Sequence, residues 1–257
     1  MKIFKFISKK IIPLFIVVMT ISCASKKDVV YFQDASNYET IVNEDVFVTK
    51  FKVDDLLSIF VSGITPEAGR PFNLYRGAQE GGITPQQVDY LVDLEGMIDF
   101  PILGRIKVAG LSPNELRNQL SEKLASYIKD PIINIRLKNF EVTISGEVNR
   151  PGTYAVNGER ISIMEALGLA GDLRIKGRRD NILVMRDFNG VRNYIRIDLT
   201  SKDAVNSPAF YLTQNDVVYV EPNKSAINAS NQDSRAGIIV SVASVLITST
   251  VLLITRN

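Results

Sequence analysis

The side chains in this sequence that can do chemistry are mainly carboxylates. Asp93, Glu95 and Asp99 fall within seven positions, and Asp54 and Asp55 are adjacent. Two carboxylates can run glycoside hydrolysis, and several together can hold Ca²⁺. Asp93 and Glu95 stand two apart, so on a strand they share one face. Neither a calcium-loop spacing nor a Gly-bounded ligand series follows them. Turn chemistry and solvated strand edges are the plainer account. Ser126 and Lys129 have a Ser-x-x-Lys spacing, but they sit at the end of an amphipathic helix without companion motifs. The chain has no His, no Trp and one Cys. Lack of His excludes Ser-His-Asp and Cys-His devices and His-ligated zinc. A single Cys makes no internal disulfide or CxxC pair. No Gly-rich loop runs into Lys and Ser or Thr, and Gly77 to Gly82 and Gly168 to Gly171 lack a dinucleotide fingerprint. The expectation is a protein that is not an enzyme and has no metal or cofactor.

The elements that would position such groups are bracketed by two apolar ends. Residues 1–22 read as a secretory signal: Lys2, Lys5, Lys9 and Lys10 precede an apolar stretch from Ile11 to Ile21, interrupted by Pro13. The stretch ends at Ser22-Cys23. A small residue directly before the sole cysteine, just past a signal core, is the pattern of a bacterial lipoprotein cleavage site, with Cys23 as the lipidated N-terminus. Thr20 departs from the Leu usual three positions earlier. The formal net charge of the whole chain is +2, from 30 basic and 28 acidic side chains. Residues 1–22 hold four of the basic ones and no acidic one, so the processed chain carries −2. That balance offers no basic face for nucleic acid.

At the other end, Ala236 to Ile254 holds no charge and no proline. At about 1.5 Å per helical residue it reaches roughly 28 Å, near the thickness of a bilayer's hydrocarbon core. Arg235 and Arg256 flank it. A transmembrane helix over 236–255 is therefore expected, after a polar linker at 223–235. Gly237, Ser241, Ser244, Thr248 and Thr255 fall on one helical stripe. Small and hydroxylated stripes mediate close helix packing in membranes; the alternative, in a ring of helices, is a stripe that faces a wet lumen.

Between the ends, 23–45 reads as a polar tether, with Val29 to Phe32 as a candidate edge strand. Val46 to Phe51 alternates as a strand, Asp54-Asp55 marks a turn, and Leu56 to Val61 is a second apolar run. Residues 62–88 read as one long loop. Tyr90 to Ile98 reads as strand, turn at Glu95-Gly96, and return strand. Ser112-Pro113-Asn114-Glu115 is a capping box with Pro at the first helical position. Leu116, Leu120, Leu124 and Ile128 then give one apolar face, up to a stop at Pro131. Ile133, Ile135 and Leu137 alternate, as do Phe140, Val142 and Ile144. Pro151-Gly152 suits the centre of a type II turn. Ser162 to Glu165 is a second capping box, opening a helix that Gly171 ends. Asn189-Gly190 signals a hairpin between 182–186 and 191–197, and Val217 to Val220 is the last strand. The fold class is α+β, in two units of ordinary domain size.

Phe51-Lys-Val-Asp-Asp55-Leu-Leu-Ser-Ile59-Phe-Val61 resembles the opening of the polysaccharide export domain. Asp55, Leu57, Ile59 and Val61 match its pattern, while Phe51 stands for Tyr and Val53-Asp54 for its glycines. The stretch from Tyr90 through Asp93, Glu95-Gly96, Ile98, Pro101, Leu103-Gly104, Ile106, Val108 and Gly110-Leu111 resembles the second half of that domain. Phe140 to Tyr154, with Gly146-Glu147-Val148 and Pro151-Gly152, resembles the start of a β-grasp-like soluble-ligand-binding module, and Ser162 to Gly171 its helix. The sequence is similar to the bacterial outer-membrane polysaccharide exporters of the Wza type. The resemblance implies an export domain at 46–138, one soluble-ligand-binding module at 139–222, and a C-terminal transmembrane helix. It implies a lipid-anchored outer-membrane protein with its modules in the periplasm. Its expected partners are a capsular or extracellular polysaccharide, further copies of the chain in a ring, and an inner-membrane copolymerase of the tyrosine-kinase type. The terminal stretch is more uniformly apolar than an amphipathic pore helix. Two other readings compete: a membrane-tethered glycan-binding protein without a channel, and a carbohydrate-active enzyme using Asp93 or Glu95.

Overall fold

A computed structural model describes residues 29–37, 40, 47–76, 86–188 and 190–230, and within the C-terminal stretch 238, 241, 242, 244, 245, 248 and 249. Buried apolar side chains segregate into two cores. One gathers residues from Phe51 to Ile135, the other from Phe140 to Val220. Leu137 packs against both.

The N-terminal unit is built around strand β1 (Leu56–Ser62), whose residues Leu57, Ile59 and Val61 alternate inward. Helix α1 (Pro66–Gly69), a 3₁₀ turn at Arg70–Phe72, and the short strands β2 (Tyr75–Arg76) and β3 (Gln86–Gln87) follow. The stretch expected as one featureless loop thus carries structure on either side of 77–85, which lie outside the described residues. Two of its amide side chains bond β1. Asn73 is buried; its Oδ1 accepts from Val61 N at 2.8 Å and its Nδ2 donates to Val61 O at 2.7 Å. Gln87 Nε2 donates to Ile59 O at 2.7 Å. They satisfy backbone groups that a short neighbour leaves unpaired. That neighbour is β4 (Tyr90–Leu91), antiparallel to the start of β1.

β5 (Met97–Phe100) does not return along β4, as the sequence suggested, but pairs with β6 (Gly104–Lys107). Asp93 organises the intervening turn: its Oδ1 accepts from Glu95 N at 2.9 Å and Met97 N at 2.8 Å. Helix α2 (Pro113–Leu124) has the full capping box, with Ser112 N donating to Glu115 Oε2 at 2.7 Å and Glu115 N to Ser112 Oγ at 3.2 Å. Leu116, Leu120 and Leu124 are fully buried, each stabilising the unit by roughly 2 kcal/mol. The helix ends at Leu124, not at Pro131. Ile128 still reaches the core from the turns that follow. Strand β7 (Ile132–Leu137) pairs antiparallel with β1 and completes a three-stranded sheet of order β4-β1-β7.

The C-terminal unit is a five-stranded sheet. Strands β8 (Glu141–Gly146) and β9 (Gly152–Ala155) form one edge, and β10 (Ile161–Ser162) leads into helix α3 (Ile163–Leu169). The second capping box is also present, Ser162 with Glu165. Strands β11 (Gly177–Phe188) and β12 (Val191–Ile197) form the hairpin expected at Asn189-Gly190. A 3₁₀ turn at Lys202–Asn206, β13 (Tyr211–Leu212) and β14 (Val217–Pro222) follow. The order is β12-β11-β14-β8-β9, with β14 parallel to β8 and the other neighbours antiparallel.

The type II turn expected at Pro151-Gly152 does not form, because Gly152 already lies in β9. The left-handed residue here is Gly146, at φ +89°, where a Cβ would stand 2.1 Å from Val220 O. Close approach of β14 demands the missing side chain.

Val29 to Phe32 do not form a strand. They dock on the C-terminal unit through Phe32 N to Leu199 O at 3.1 Å and Gln33 N to Thr200 O at 2.7 Å. Val46 lies outside the described residues, and Phe47 to Lys50 cross between the units without strand pairing.

After β14 comes helix α4 (Lys224–Ser230). No helix among the described residues is long and apolar enough to cross a membrane. Most of the expected span, with Gly237 and Thr255, lies outside the described residues, as do 1–28 with Cys23. Ser241, Ser244 and Thr248 are helical and exposed. Ser244 Oγ donates to Ser241 O and Thr248 Oγ1 to Ser244 O, both at 2.8 Å. Such back-bonding satisfies hydroxyls locally.

Candidate functional site at the joint between the units

Residues 47–52 connect the two cores. At one end Phe47 stacks on Tyr211, ring centroids 5.5 Å apart, and Arg160 lies 5.0 Å from the centre of the Tyr211 ring. Thr49 Oγ1 donates to Glu159 O at 2.9 Å. At the other end Phe51 is buried in the N-terminal core, with Phe51 N donating to Leu111 O at 2.9 Å. Lys52 then turns back to the C-terminal unit. Its Nζ donates to Thr213 Oγ1 at 3.0 Å, Asp187 O at 3.3 Å and Gln214 O at 3.4 Å. Burial lowers the Lys52 pKa, and the Arg186 guanidinium adds to this while Asp216 opposes it.

Thr213 to Asp216 form the turn that receives Lys52. Asp216 is fully buried and accepts from Thr213 N at 2.8 Å and Thr213 Oγ1 at 3.0 Å. Arg186 on β11 reaches the same carboxylate, through Nε at 3.0 Å and Nη2 at 2.7 Å. It also donates to Pro208 O at 3.0 Å and Tyr211 O at 2.9 Å. A carboxylate removed from water needs such pairing to stay charged. Gln214 Oε1 accepts from Glu141 N at 2.7 Å and so ties the turn to β8.

Asp55 faces the joint from the other side. It is buried, and its Oδ2 accepts from Lys52 N at 2.8 Å. Burial raises its pKa to about 6, against the bond from Lys52 N. Asn139 closes the joint: its Oδ1 accepts from Leu56 N and its Nδ2 donates to Asp54 O, both at 2.9 Å.

A cavity of about 330 Å³ opens beside Lys52. Phe47, Val48 and Ile195 give it apolar surface, and Lys50, Lys52 and Arg186 border it with cations. Asn193 and Thr213 add an amide and a hydroxyl.

Of the sequence-marked groups, Asp54 and Asp55 lie at the joint and the others lie elsewhere. Arg105 donates to Asp93 and to Glu95, the latter at 2.9 Å, and its Nε lies 3.9 Å from the exposed Asp99. One guanidinium thus engages two of the carboxylates considered for catalysis or Ca²⁺, and no group of metal-ligating residues is found among the described residues. Ser126 and Lys129 are both exposed, beyond the end of α2. Of the adjacent pair, Asp54 adopts φ +68° in a turn and Asp55 is buried. Sequence reasoning did not find Lys52, Arg186, Thr213 or Asp216. The nearest signal is local: Thr213 and Asp216, three apart, have the spacing of a side-chain-bonded turn.

Residues 48–138 match the family described as polysaccharide biosynthesis/export protein, and residues 141–220 match the SLBB domain. The chain is 29% identical over 147 residues to the EPS I polysaccharide export outer membrane protein EpsA of Ralstonia solanacearum, covering 56% of this chain and 38% of that protein. It is 29% identical over 155 residues to the protein of the same name from Ralstonia nicotianae, covering 59% and 40%. The match therefore spans about two fifths of the length of these curated relatives.

Proposed function

We propose that this chain, which belongs to the outer-membrane polysaccharide export family, is one subunit of a ring-shaped translocon through which a capsular or extracellular polysaccharide leaves the cell. The observation that carries the reading is the tandem match in this chain, an export unit directly followed by an SLBB unit; the similarity to proteins named polysaccharide export outer membrane proteins supports it. Export of a finished polymer calls for a passage rather than a catalyst. The engagement of Asp93 and Glu95 by Arg105 supports a non-catalytic role.

In this reading Cys23 carries a lipid and Ala236 to Ile254 forms a membrane helix. Two attachments anchor stably where one chain is marginal. The SLBB unit is a β-grasp-like module in the periplasm beside the outer membrane. The hydroxylated stripe of Gly237, Ser241, Ser244, Thr248 and Thr255 packs against neighbouring helices or lines the exit. An inner-membrane copolymerase docks on the opposite side. Head-to-tail contacts between identical copies close into rings when the rotation permits.

Deleting the gene should abolish surface polysaccharide, and detergent-extracted protein should show rings with a lumen by electron microscopy. Normal surface polysaccharide in the deletion strain, or a strictly monomeric extract, overturns the reading. The cavity at the joint favours a second one, a tethered glycan-binding protein without a channel. That protein would bind polymer and show no ring.

A further inference from the structure

We infer that the cavity at the joint is a subsite for a carboxylate-bearing sugar unit of the exported polymer. The inference rests on the export reading for the identity of the polymer, but its chemistry comes from the cavity itself. At about 330 Å³ it lies at the small end of ligand pockets, and such pockets concentrate where domains meet. It is too small for a folded polymer segment and suited to a short sugar unit.

The wall chemistry is divided. Phe47, Val48 and Ile195 present the kind of surface that packs against the C–H face of a pyranose ring. Asn193 offers an amide to ring hydroxyls. The remaining border is cationic, with Lys50, Lys52 and Arg186. Asp216 is committed to Arg186 and fully buried beneath it. Asp187 faces the exposed Arg192 at 3.8 Å. Asp55 lies near Lys52 as well, but no carboxylate among the described residues lines the cavity itself, where Lys50, Lys52 and Arg186 supply the charge. The three N–H donors of Lys52 are engaged on Thr213 Oγ1, Asp187 O and Gln214 O, so Lys50 is the side chain that meets an entering anion first. An entering carboxylate is attracted by this cationic lining, and a neutral sugar is not. Lys50 is exposed, so it can steer an anion towards the mouth.

The pocket also spans the joint. Phe47, Val48, Lys50 and Lys52 come from the crossing segment, while Arg186, Asn193, Ile195 and Thr213 come from the C-terminal unit. An occupant would touch both at once.

The test is calorimetric titration of the full-length, detergent-solubilised protein with trigalacturonate and with its methyl ester, which keeps the rings and removes the charge. The acid should bind at least tenfold more tightly than the ester, and added salt should erode the difference. Lys50→Glu, at an exposed position, should weaken the acid tenfold or more, and Lys50→Arg should retain it. Equal binding of acid and ester, equal binding by wild type and Lys50→Glu, or no binding by either sugar overturns the inference. These outcomes are independent of export. Selective binding with normal surface polysaccharide in a deletion strain would sink the export reading alone. Lost surface polysaccharide with no selective binding would sink the subsite alone.

Discussion

Lys52 Nζ donates to Thr213 Oγ1 at 3.0 Å across 161 positions of sequence. The bond fastens the segment entering the N-terminal core to the turn that opens the last strand of the C-terminal unit. Lys52 is partly exposed, so solvent discounts the bond, and a contribution of about 1 kcal/mol is reasonable. Lys52→Met keeps the stem and removes the donors. It should lower the unfolding midpoint by roughly 2–4 °C and separate the transitions of the two units in a calorimetric scan. A single transition at the wild-type temperature would show that other contacts hold the joint.

Arg186 and Asp216 form the buried ion pair behind that joint. Removing one partner leaves the other charged and uncompensated, at a cost of about 3–5 kcal/mol. Asp216→Ala should therefore destabilise more than the double change Asp216→Ala with Arg186→Met. Chemical denaturation of the four proteins of this double-mutant cycle gives the coupling. Additive effects would mean that the pair is not coupled.

Asp55 makes stability depend on pH in an unusual direction for a carboxylate. Its folded pKa, about 6, lies above the ordinary value near 4. Between these values the folded chain holds the proton more tightly than the unfolded chain. Stability is therefore lost as pH rises from about 4 to about 6, and the loss is complete above that. Lys52 N and Lys52 limit the shift, and Asp54 adds to it. Asp55→Asn keeps an acceptor for Lys52 N and should remove this decline. Melting curves of both proteins at pH 4.5 and 7.5 would reveal it. A decline as steep in Asp55→Asn as in wild type contradicts the assignment.

Gly146 and Gly104 separate backbone strain from collision. Both have positive φ, +89° and +72°, but a Cβ at Gly146 meets Val220 O at 2.1 Å while one at Gly104 meets nothing within 4 Å. Gly104→Ala should cost about 1–2 kcal/mol, the penalty for a left-handed L-residue. Gly146→Ala must also part β8 from β14, so it should cost about 4 kcal/mol or more. Equal melting temperatures for the two variants would refute the collision.

The elements that were legible in the sequence are those that local chemistry decides. Ser112 with Glu115 and Ser162 with Glu165 satisfy helix-end donors within four residues, so each capping box reads directly. Alternation at Ile133, Ile135, Val142 and Ile144 marks strands because the pleat repeats every two residues. Pairing is not local. Tyr90-Leu91 looked like one arm of a hairpin, yet it joined β1 and left Met97–Phe100 to β6. Gly152 looked like the turn residue, but Val220 placed the demand on Gly146. The joint was illegible for the same reason. Lys52, Arg186 and Asp216 are ordinary charged residues in their own neighbourhoods, and only the fold brings them together.

The N-terminal tether gives the last prediction. Tyr31 donates to Asp172 and lies under the Arg179 guanidinium, 5.2 Å from the ring centre. Asp34 accepts from Ser201 Oγ at 2.7 Å and Lys202 N at 2.6 Å. Tyr31 follows Cys23 by eight positions, and at no more than about 3.6 Å per step they span less than about 29 Å. If Cys23 bears the lipid, this docking holds the C-terminal unit within that distance of the leaflet. Asp34→Ala removes an anchor without touching the aromatic residues at which chymotrypsin cuts. Cleavage after Phe32 should accelerate severalfold, because proteolysis follows the population of the open segment. Cleavage at the wild-type rate would show that Tyr31 and the backbone bonds to Leu199 and Thr200 hold the tether without Asp34.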